Sequence, residues 1–279
     1  MLNRMRRIAG IQAATALAAV LIFSDTAAAD EADGAWTDIA DSLFADRPLA
    51  ADDLVALEAP YRAEDAALVP MTIRTALPAG DRRQVSKLVL VIDNNPAPVA
   101  ASFELGPDTG LTEISTRVRV NSYTPVHAVA EFSDGSLHVA EVFVKASGGC
   151  SAPMSKDPEQ AMANLGQMKL RQFGQTSGEA PASASQAEAQ LMIRHPNNSG
   201  LQMDQLTRNY IPAHFVREVT IRQGDALIFH MEGGISLSED PNFRFDFAPN
   251  GQPISVEAVD TEDDVFTREW PSAKAAPQG

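Results

Sequence analysis

The sequence predicts an all-β protein made of two antiparallel β-sandwich domains joined by a helix and a flexible linker. Two observations lead to this class. Short segments in which apolar and polar residues alternate recur on both sides of residue 150, and turn-forming residues separate them. Such segments, without long helical periods between them, are typical of antiparallel sandwiches. The 279 residues suit about two domains of ordinary size.

Composition excludes several kinds of protein. The chain has 22 Lys and Arg against 37 Asp and Glu, which gives a formal net charge of -15. A chain this acidic lacks the clustered cations that nucleic-acid phosphates require, so we expect no nucleic-acid partner. Its one cysteine, Cys150, excludes a disulfide framework within the chain and a multi-thiolate zinc site.

Residues 1–29 have the pattern of a secretory signal peptide. A basic start precedes the apolar stretch Ile8–Phe23, and the small residues Ala27–Ala29 follow. We expect cleavage before Asp30 and export to the periplasm. A membrane anchor is the alternative, but the apolar stretch is shorter than the roughly 20 residues that a spanning helix needs. After cleavage we expect no membrane span.

Residues 36–150 are predicted to form the first sandwich domain. An amphipathic helix opens it and ends near Arg47, with five apolar residues on one face: Trp36, Ile39, Ala40, Leu43 and Phe44. Alternating or β-branched segments then predict strands. These strands are Met71–Thr75, Lys87–Ile92, Ile114–Val120, Val126–Phe132 and Leu137–Val144.

Residues 151–188 are predicted to connect the two domains. Good helix formers and spaced apolar residues predict a helix over Asp157–Phe173. Gly174–Gln190 is rich in small and polar residues and has almost nothing large and apolar, so it is interpreted as a flexible linker.

Residues 189–271 are predicted to form the second sandwich domain. Turn sequences such as Gly224–Asp225 and Asn250–Gly251 separate its strand segments. The predicted strands are Leu191–Ile193, Phe215–Arg222, Ala226–Met231, Phe243–Phe247, Ile254–Val259 and Val265–Trp270.

The main chemical feature is Gly148-Gly149-Cys150 at the exit of a strand. Glycine has no Cβ, so the backbone bends freely here and the thiol can reach into a partner's pocket. A lone cysteine in an oxidising compartment is buried and inert, paired between chains, or free and reactive. The end of a strand is an exposed context, so we expect an accessible thiol. No basic residue adjoins Cys150, and the local sequence gives no reason for a lowered thiol pKa.

Other chemistry has little support. The five histidines lack metal-ligand spacing, and nucleotide-binding and nucleophile-elbow motifs are absent. The acidic run Asp260–Asp264 is interpreted as a solvated charged turn, since it lacks the pattern of a calcium loop. We therefore expect no metal, no cofactor and no catalytic turnover.

The arrangement resembles the SoxY and SoxZ sulfur-carrier families of periplasmic thiosulfate oxidation, joined in one chain. In the first half the resemblance lies in the strand that leads into Val142–Lys145 and in the Gly-Gly-Cys arm. In the second half it lies in Ile193–Pro196, Ile211–Phe215 and the terminal Glu269–Trp270. The fused form is similar to the SoxYZ-like carriers that are associated with quinoprotein dehydrogenases.

The resemblance implies two immunoglobulin-like sandwiches packed together, with a sulfur compound held covalently on Cys150. It also implies that Gly148 and Gly149 form a swinging arm. Arg194 and His195 are candidates for contact with an anionic cargo or a partner, and the alternative is that they cap a strand at Pro196. The implied partners are periplasmic sulfur-oxidising enzymes, c-type cytochromes or a quinoprotein dehydrogenase. In the SoxY family the arm is Gly-Gly-Cys-Gly-Gly and ends the chain, whereas here the chain continues. An arm tethered at both ends sweeps less space.

Two other interpretations stay open. In the second interpretation, the protein is a non-catalytic accessory or docking module for a periplasmic quinoprotein alcohol dehydrogenase, and Cys150 has no role in its function. A third interpretation is a redox sensor whose Cys150 forms a disulfide between chains.

Overall fold

The computed structural model describes residues 27–45, 47–153, 158–173 and 186–272, with the side chains of 27–34 and 158–160 left out. The described chain is mostly β-structure, which confirms the predicted all-β class. No helix within these ranges is long and apolar enough to cross a membrane. Residues 1–26 of the predicted signal peptide lie outside the described residues. The first helix begins at Ala27.

The first half contains one helix, eight strands and a short 3-10 turn. In chain order they are α1 (Ala27–Phe44), β1 (Leu49–Ala50), β2 (Val55–Glu58), β3 (Val69–Thr75), β4 (Val85–Ile92), β5 (Val99–Leu105), β6 (Glu113–Val118), β7 (Thr124–Phe132), β8 (Leu137–Val144) and the 3-10 turn (Gly149–Ser151).

The second half contains one short helix and seven strands within the described ranges. They are α2 (Pro158–Ala163), β9 (Met168–Phe173), β10 (Ala187–Ile193), β11 (Val216–Gln223), β12 (Ala226–Gly233), β13 (Asn242–Phe247), β14 (Ile254–Asp260) and β15 (Val265–Trp270).

Both sheets of the sandwich run through both halves of the chain. The larger sheet has the order β1-β8-β7-β4-β5-β12-β11-β14-β15, and the smaller has the order β2-β3-β6-β13-β10-β9. The halves meet where β5 pairs with β12 and where β6 pairs with β13, both antiparallel. Each of these strands would otherwise be a sheet edge with unpaired backbone groups, so the pairing satisfies them. The two predicted sandwiches are therefore joined edge to edge as well as through the connecting segment.

The space between the sheets is one continuous apolar core. Four phenylalanines fill it where the halves meet, with Phe103 from the first half among Phe229, Phe243 and Phe245 from the second. The rings of Phe103 and Phe229 meet edge to face at 5.7 Å, and those of Phe229 and Phe245 at 5.2 Å. Each such pair adds about 0.5–1.5 kcal/mol beyond the apolar area that it buries. This packing fixes how the two halves sit against each other.

Helix α1 packs on the outer face of the larger sheet, as its amphipathic pattern predicts. Ala40 and Phe44 are buried against strands β4 and β7. The Trp36 ring stacks on that of His127 with 3.7 Å between centroids. Leu43, which was predicted for the packed face, is 41% exposed because it lies at the margin of the stripe that Trp36, Ala40 and Phe44 define.

The prediction of one helix over Asp157–Phe173 is wrong. Only Pro158–Ala163 is helical, and Met168–Phe173 forms strand β9 against β10. Gly166 adopts the left-handed conformation, with φ 73°, in the turn between them. Strand β9 covers the edge of β10 and pairs with its backbone N–H and C=O groups. Local helix propensity does not reflect this long-range pairing. The end of the predicted linker is also wrong, since β10 begins at Ala187.

Candidate functional site

Cys150 lies in the 3-10 turn that follows β8, where the two halves of the chain meet. Its side chain and backbone are fully buried. The backbone carbonyl of Cys150 accepts a hydrogen bond from the Ser199 hydroxyl at 2.5 Å. Two residues further on, the carbonyl of Ala152 accepts one from the side-chain amide of Gln202 at 2.9 Å. The second half thus covers the turn and holds it in place.

The expectation of an accessible thiol is therefore wrong for this structure. Local sequence placed Cys150 at an open strand end, whereas the residues that cover it come about 50 positions later in the chain. Long-range closure of this kind leaves no local pattern.

The two glycines before Cys150 are explained by the closed structure. A Cβ atom on Gly149 would lie 2.1 Å from the carbonyl oxygen of Ala66 and 2.6 Å from that of Val120. Gly148 has φ 78°, in the left-handed region that side chains disfavour. Both positions need glycine for the turn to seat. Their role as a swinging arm remains a prediction.

Backbone hydrogen bonds seat the turn against the end of β6. The Gly148 N–H donates to the carbonyl of Asn121 at 2.8 Å, and the Gly149 N–H donates to that of Val120 at 3.0 Å. The buried side chain of Asn95 accepts from the Asn121 N–H at 2.8 Å and so fixes this segment. The turn consequently has partners on both sides.

Arg119 is the cation of this site, and sequence reasoning missed it. The side chain is 1% exposed, and its guanidinium donates to the carbonyls of Gly149 at 3.2 Å and Asn197 at 3.3 Å. Its Nε has no hydrogen-bond partner among the described residues. One sequence signal could have found it, because an arginine between Val118 and Val120 at the end of a predicted strand indicates a buried charge.

Burial and charge act in opposite directions on this pair. Burial raises the pKa of the Cys150 thiol, and the nearby Arg119 cation only partly offsets that rise. Burial likewise lowers the pKa of Arg119, while the Cys150 thiolate, when it forms, and the carboxylates of Glu239 and Asp65 act to raise it. The closed thiol is therefore held in its protonated, weakly nucleophilic form.

A cleft of about 380 Å³ opens beside the turn, outside Cys150. The first half contributes Ser151 and Pro153, and the second contributes Met203, Gln205 and Arg208. The loop that forms the second wall carries further exposed apolar side chains, with Leu206 94% exposed and Tyr210 67% exposed.

The structure does not bring Arg194 and His195 to one surface. Arg194 is exposed and forms an ion pair with Asp240 at 2.5 Å. The His195 side chain is fully buried and lies 3.3 Å from Asp260. His195 in this structure therefore supports the fold and does not present itself to a cargo. Whether Arg194 contacts a cargo or partner remains a prediction.

His195, His214 and Asp260 form a buried cluster whose potential ligand atoms lie within 4.8 Å of one another. The Nε2 atoms of His195 and His214 lie 3.3 and 2.8 Å from the same Asp260 oxygen. The other Asp260 oxygen accepts backbone N–H groups of the following turn. The interpretation of residues 260–264 as a solvated turn is thus wrong for Asp260, which is fully buried.

The proton positions in this cluster do not fit a metal site. His195 Nδ1 accepts the Asn197 N–H at 3.1 Å, so the proton of the neutral ring is on Nε2, where it is donated to Asp260. Burial lowers the pKa of His195 to about 4, which keeps the ring neutral at pH 7. The cluster orients Asn197, whose carbonyl accepts a hydrogen bond from the Arg119 guanidinium. The cluster therefore supports the Cys150 site.

Fold and site together define a class: a protein of two edge-joined β-sandwich halves in which the second half covers a single cysteine at the end of the first. Family models agree with this division. The model of the sulfur oxidation protein SoxY matches residues 40–150, and that of the sulphur oxidation protein SoxZ matches residues 177–271. The chain therefore contains a SoxY domain and a SoxZ domain in one polypeptide, which confirms the predicted resemblance to these two families. The resemblance to carriers associated with quinoprotein dehydrogenases stays a prediction.

Searches against curated protein sequences find no match. Among solved structures, the sulfur carrier protein SoxY from Chlorobium limicola f thiosulfatophilum is 25% identical, with a TM-score of 0.35 over 41% of this chain and 94% of that one. A β-glycosidase from Bacteroides vulgatus is 11% identical, with a TM-score of 0.24 over 79% of this chain and 25% of that one.

Proposed function

We propose that this protein is a non-catalytic periplasmic carrier that holds a sulfur compound covalently on Cys150 and presents it to partner enzymes of thiosulfate oxidation. One observation carries the proposal. Cys150 is the chain's one thiol and the last residue of the segment that matches SoxY, in a turn that the SoxZ domain fastens. A thiol is the chemical group that such covalent carriage requires.

Loading of thiosulfate forms an S–S bond between the Cys150 sulfur and the outer sulfur of thiosulfate. The thiol loses its proton, and two electrons leave the pair of sulfur atoms. Two c-type haems of the partner enzyme each accept one of these electrons, and the product is a thiosulfonate on Cys150. The carrier itself supplies the sulfur nucleophile and the buried Arg119 beside it.

The closed structure supports an ordered cycle. A protonated, covered thiol is protected from adventitious oxidation, so release of the turn precedes reaction. Release breaks the hydrogen bonds that Ser199 and Gln202 donate, together with those that Gly148, Gly149 and Arg119 donate around the turn, and each contributes about 0.5–1.5 kcal/mol. Docking of a partner supplies the free energy that offsets this loss.

One observation favours a second candidate. Cys150 is fully buried, which is what we expect if the thiol carries no cargo. A docking module for a periplasmic quinoprotein alcohol dehydrogenase would keep Cys150 covered at all times. The loop with exposed Leu206 and Tyr210 would then serve the dehydrogenase alone.

Mass spectrometry of the intact protein separates the two candidates. Protein from the periplasmic fraction, purified without reductant, should begin at Asp30 and carry a sulfur adduct that reductant removes. Tetrathionate then loads the emptied protein without an added oxidant, because the thiolate attacks a central sulfur, displaces thiosulfate and keeps a thiosulfonate. The Cys150→Ser variant should take up nothing.

A matched variant tests the position of the thiol. Cys150→Ser combined with Ser151→Cys moves it one residue, to an exposed site, and should react with tetrathionate at once. If native protein carries no adduct and reacts with tetrathionate only after unfolding, the turn does not open and the docking module is the better account.

A further inference from the structure

A second cleft, of about 670 Å³, lies against the outer face of the smaller sheet and concentrates positive charge. Five cationic side chains line it: Arg117, Lys169, Arg171, Arg194 and Arg268. The whole chain has only 22 Lys and Arg and a net charge of -15, so this grouping runs against its overall composition. Among the described residues that line the cleft, Asp240 is the one acid.

Strand register brings these cations together from distant parts of the sequence. Lys169 on β9 is paired with Met192 on β10, and Met192 is paired with Asn242 on β13, so these residues form one row across the sheet. Arg171 lies in the next row of β9, two residues from Lys169, on the same outward face. The SoxY domain adds Arg117 from β6.

Some of these cations are already anchored. Arg268 reaches across from the larger sheet and donates to the carbonyl of Met168 at 2.8 Å. Arg117 donates to the backbone carbonyl of Asp240 at 3.2 Å, and Arg194 pairs with the carboxylate of the same residue. These contacts fix the positions of three guanidinium groups around the cleft.

Other binding capacity is unused. The Nε of Arg117 is buried without a hydrogen-bond partner in the described part of the chain. No described carboxylate lies within ion-pair distance of Lys169 or Arg171, both of which are exposed. Five cations share this cleft with one carboxylate, and the buried Nε of Arg117 has no hydrogen-bond acceptor among the described residues, so the electrostatics of the cleft favour an anion.

We propose that this cleft binds a small divalent oxyanion of the sulfate and thiosulfate class. Guanidinium groups present forked N–H donors that match such oxygens, and a lysine adds a point charge. The cleft is concave, with Ala161 and Asn164 on one wall and sheet residues on the other, and its volume falls in the range of small-molecule sites. The site uses neither Cys150 nor its turn, so it stands whether or not the carrier function does.

Calorimetric titration of the full-length protein with sodium sulfate and with sodium thiosulfate tests the proposal. Ionic strength is held constant with sodium chloride, because exposed charges respond to screening. We expect saturable binding at one site for both oxyanions. Arg117→Gln and Arg171→Gln should each weaken it about tenfold, the effect of one lost charge-assisted hydrogen bond.

Two variants serve as controls. Arg82→Gln removes an exposed cation outside the cleft and should bind like the wild type. Cys150→Ser should also bind like the wild type, which separates this site from the cysteine. Thermal unfolding of each variant checks that it is folded, and Lys169→Gln replaces any variant that is not.

Three results would overturn the proposal: no saturable binding by either oxyanion, equal weakening by Arg82→Gln and the cleft variants, or loss of binding in Cys150→Ser. Binding of an acidic peptide such as oligoglutamate in the absence of any oxyanion binding would overturn it too, and would assign the cleft to a protein partner.

Discussion

The hydroxyl of Ser199 in the SoxZ domain donates a hydrogen bond to the carbonyl of Cys150, the last residue of the SoxY match. The two residues are 49 positions apart in the chain. In this structure the cover over the thiol therefore depends on contact between the two domains. The fused chain keeps this contact permanently available, because its two partners cannot separate.

Replacing Ser199 by alanine should make Cys150 more accessible. The substitution removes one of the hydrogen bonds that hold the turn and leaves the surrounding apolar contacts in place. A hydrogen bond of this kind stabilises by about 0.5–1.5 kcal/mol, so iodoacetamide should alkylate Cys150 about threefold to tenfold faster. The rate is followed by intact mass.

Ser86→Ala is the matched control for that experiment. Its hydroxyl donates to the carbonyl of Glu131 at 3.0 Å, also from a side chain to a backbone, on a distant part of the larger sheet. The alkylation rate of this variant should equal that of the wild type. Equal rates for Ser199→Ala and Ser86→Ala would mean that Ser199 does not hold the turn closed.

Arg119→Met should raise the pKa of the Cys150 thiol further. Methionine fills much of the same volume but removes the cation that offsets the effect of burial. The loss of an adjacent opposite charge shifts a pKa by about one unit or more. The midpoint of the alkylation rate against pH should therefore move upward, and the rate at neutral pH should fall about tenfold.

Arg117→Met controls for the loss of a cation from the same segment, since Arg117 faces the second cleft. It should leave the midpoint unchanged. If Arg119→Met also leaves it unchanged, thiolate forms only after the turn has opened and Arg119 serves the closed structure alone.

Much of the fold follows from residue patterns, and the elements that were missed have physical reasons. Strands with one face in the core, such as β3 and β6, alternate visibly between buried and exposed residues and were predicted. Strand β5 was missed because it is central, with its residues from Ala100 to Phe103 buried on both faces, so that Val-Ala-Ala-Ser-Phe shows no alternation.

The site was less predictable than the strands. Cys150 and its two glycines stand out locally, but the cover over them and the cation beside them come from distant positions. Likewise, the basic cleft is assembled by strand register from residues that are scattered along the sequence. Pairing of β5 with β12 and of β6 with β13 brings the two halves together, and pairing of β10 with β9 and β13 builds the basic cleft. Periodicity does not encode which edges pair.

Acidification should destabilise the SoxZ domain through His195. Its folded pKa of about 4 is below the ordinary 6.5, so the stability it contributes is complete above pH 6.5 and is lost as pH falls towards 4. The loss amounts to about 3 kcal/mol for a fully buried ring. Urea unfolding followed by circular dichroism at a series of pH values measures it.

The variant His195→Gln should lower stability at neutral pH but flatten its dependence on pH between 6.5 and 4. His230→Gln is the matched control, because His230 is half-buried in the same domain and hydrogen-bonded to Thr220. It should keep the wild-type slope. A slope in His195→Gln as steep as that of the wild type would assign the acid sensitivity to other groups.

Gly149→Ala decides whether the glycine before Cys150 serves close packing or mobility. The new Cβ would meet two backbone carbonyls, of Ala66 and Val120, which cannot move as a side chain tip can. Overpacking of this kind costs about 1–3 kcal/mol, so the turn should be displaced and Cys150 should be alkylated much faster.

Gly135→Ala is the matched control. Gly135 has φ 82°, but no atom lies within 4 Å of the added Cβ, so this substitution introduces backbone strain alone and should leave the alkylation rate unchanged. If instead Gly149→Ala slows alkylation, the glycine provides mobility to an arm that is already open in solution, and the closed turn is not the resting state.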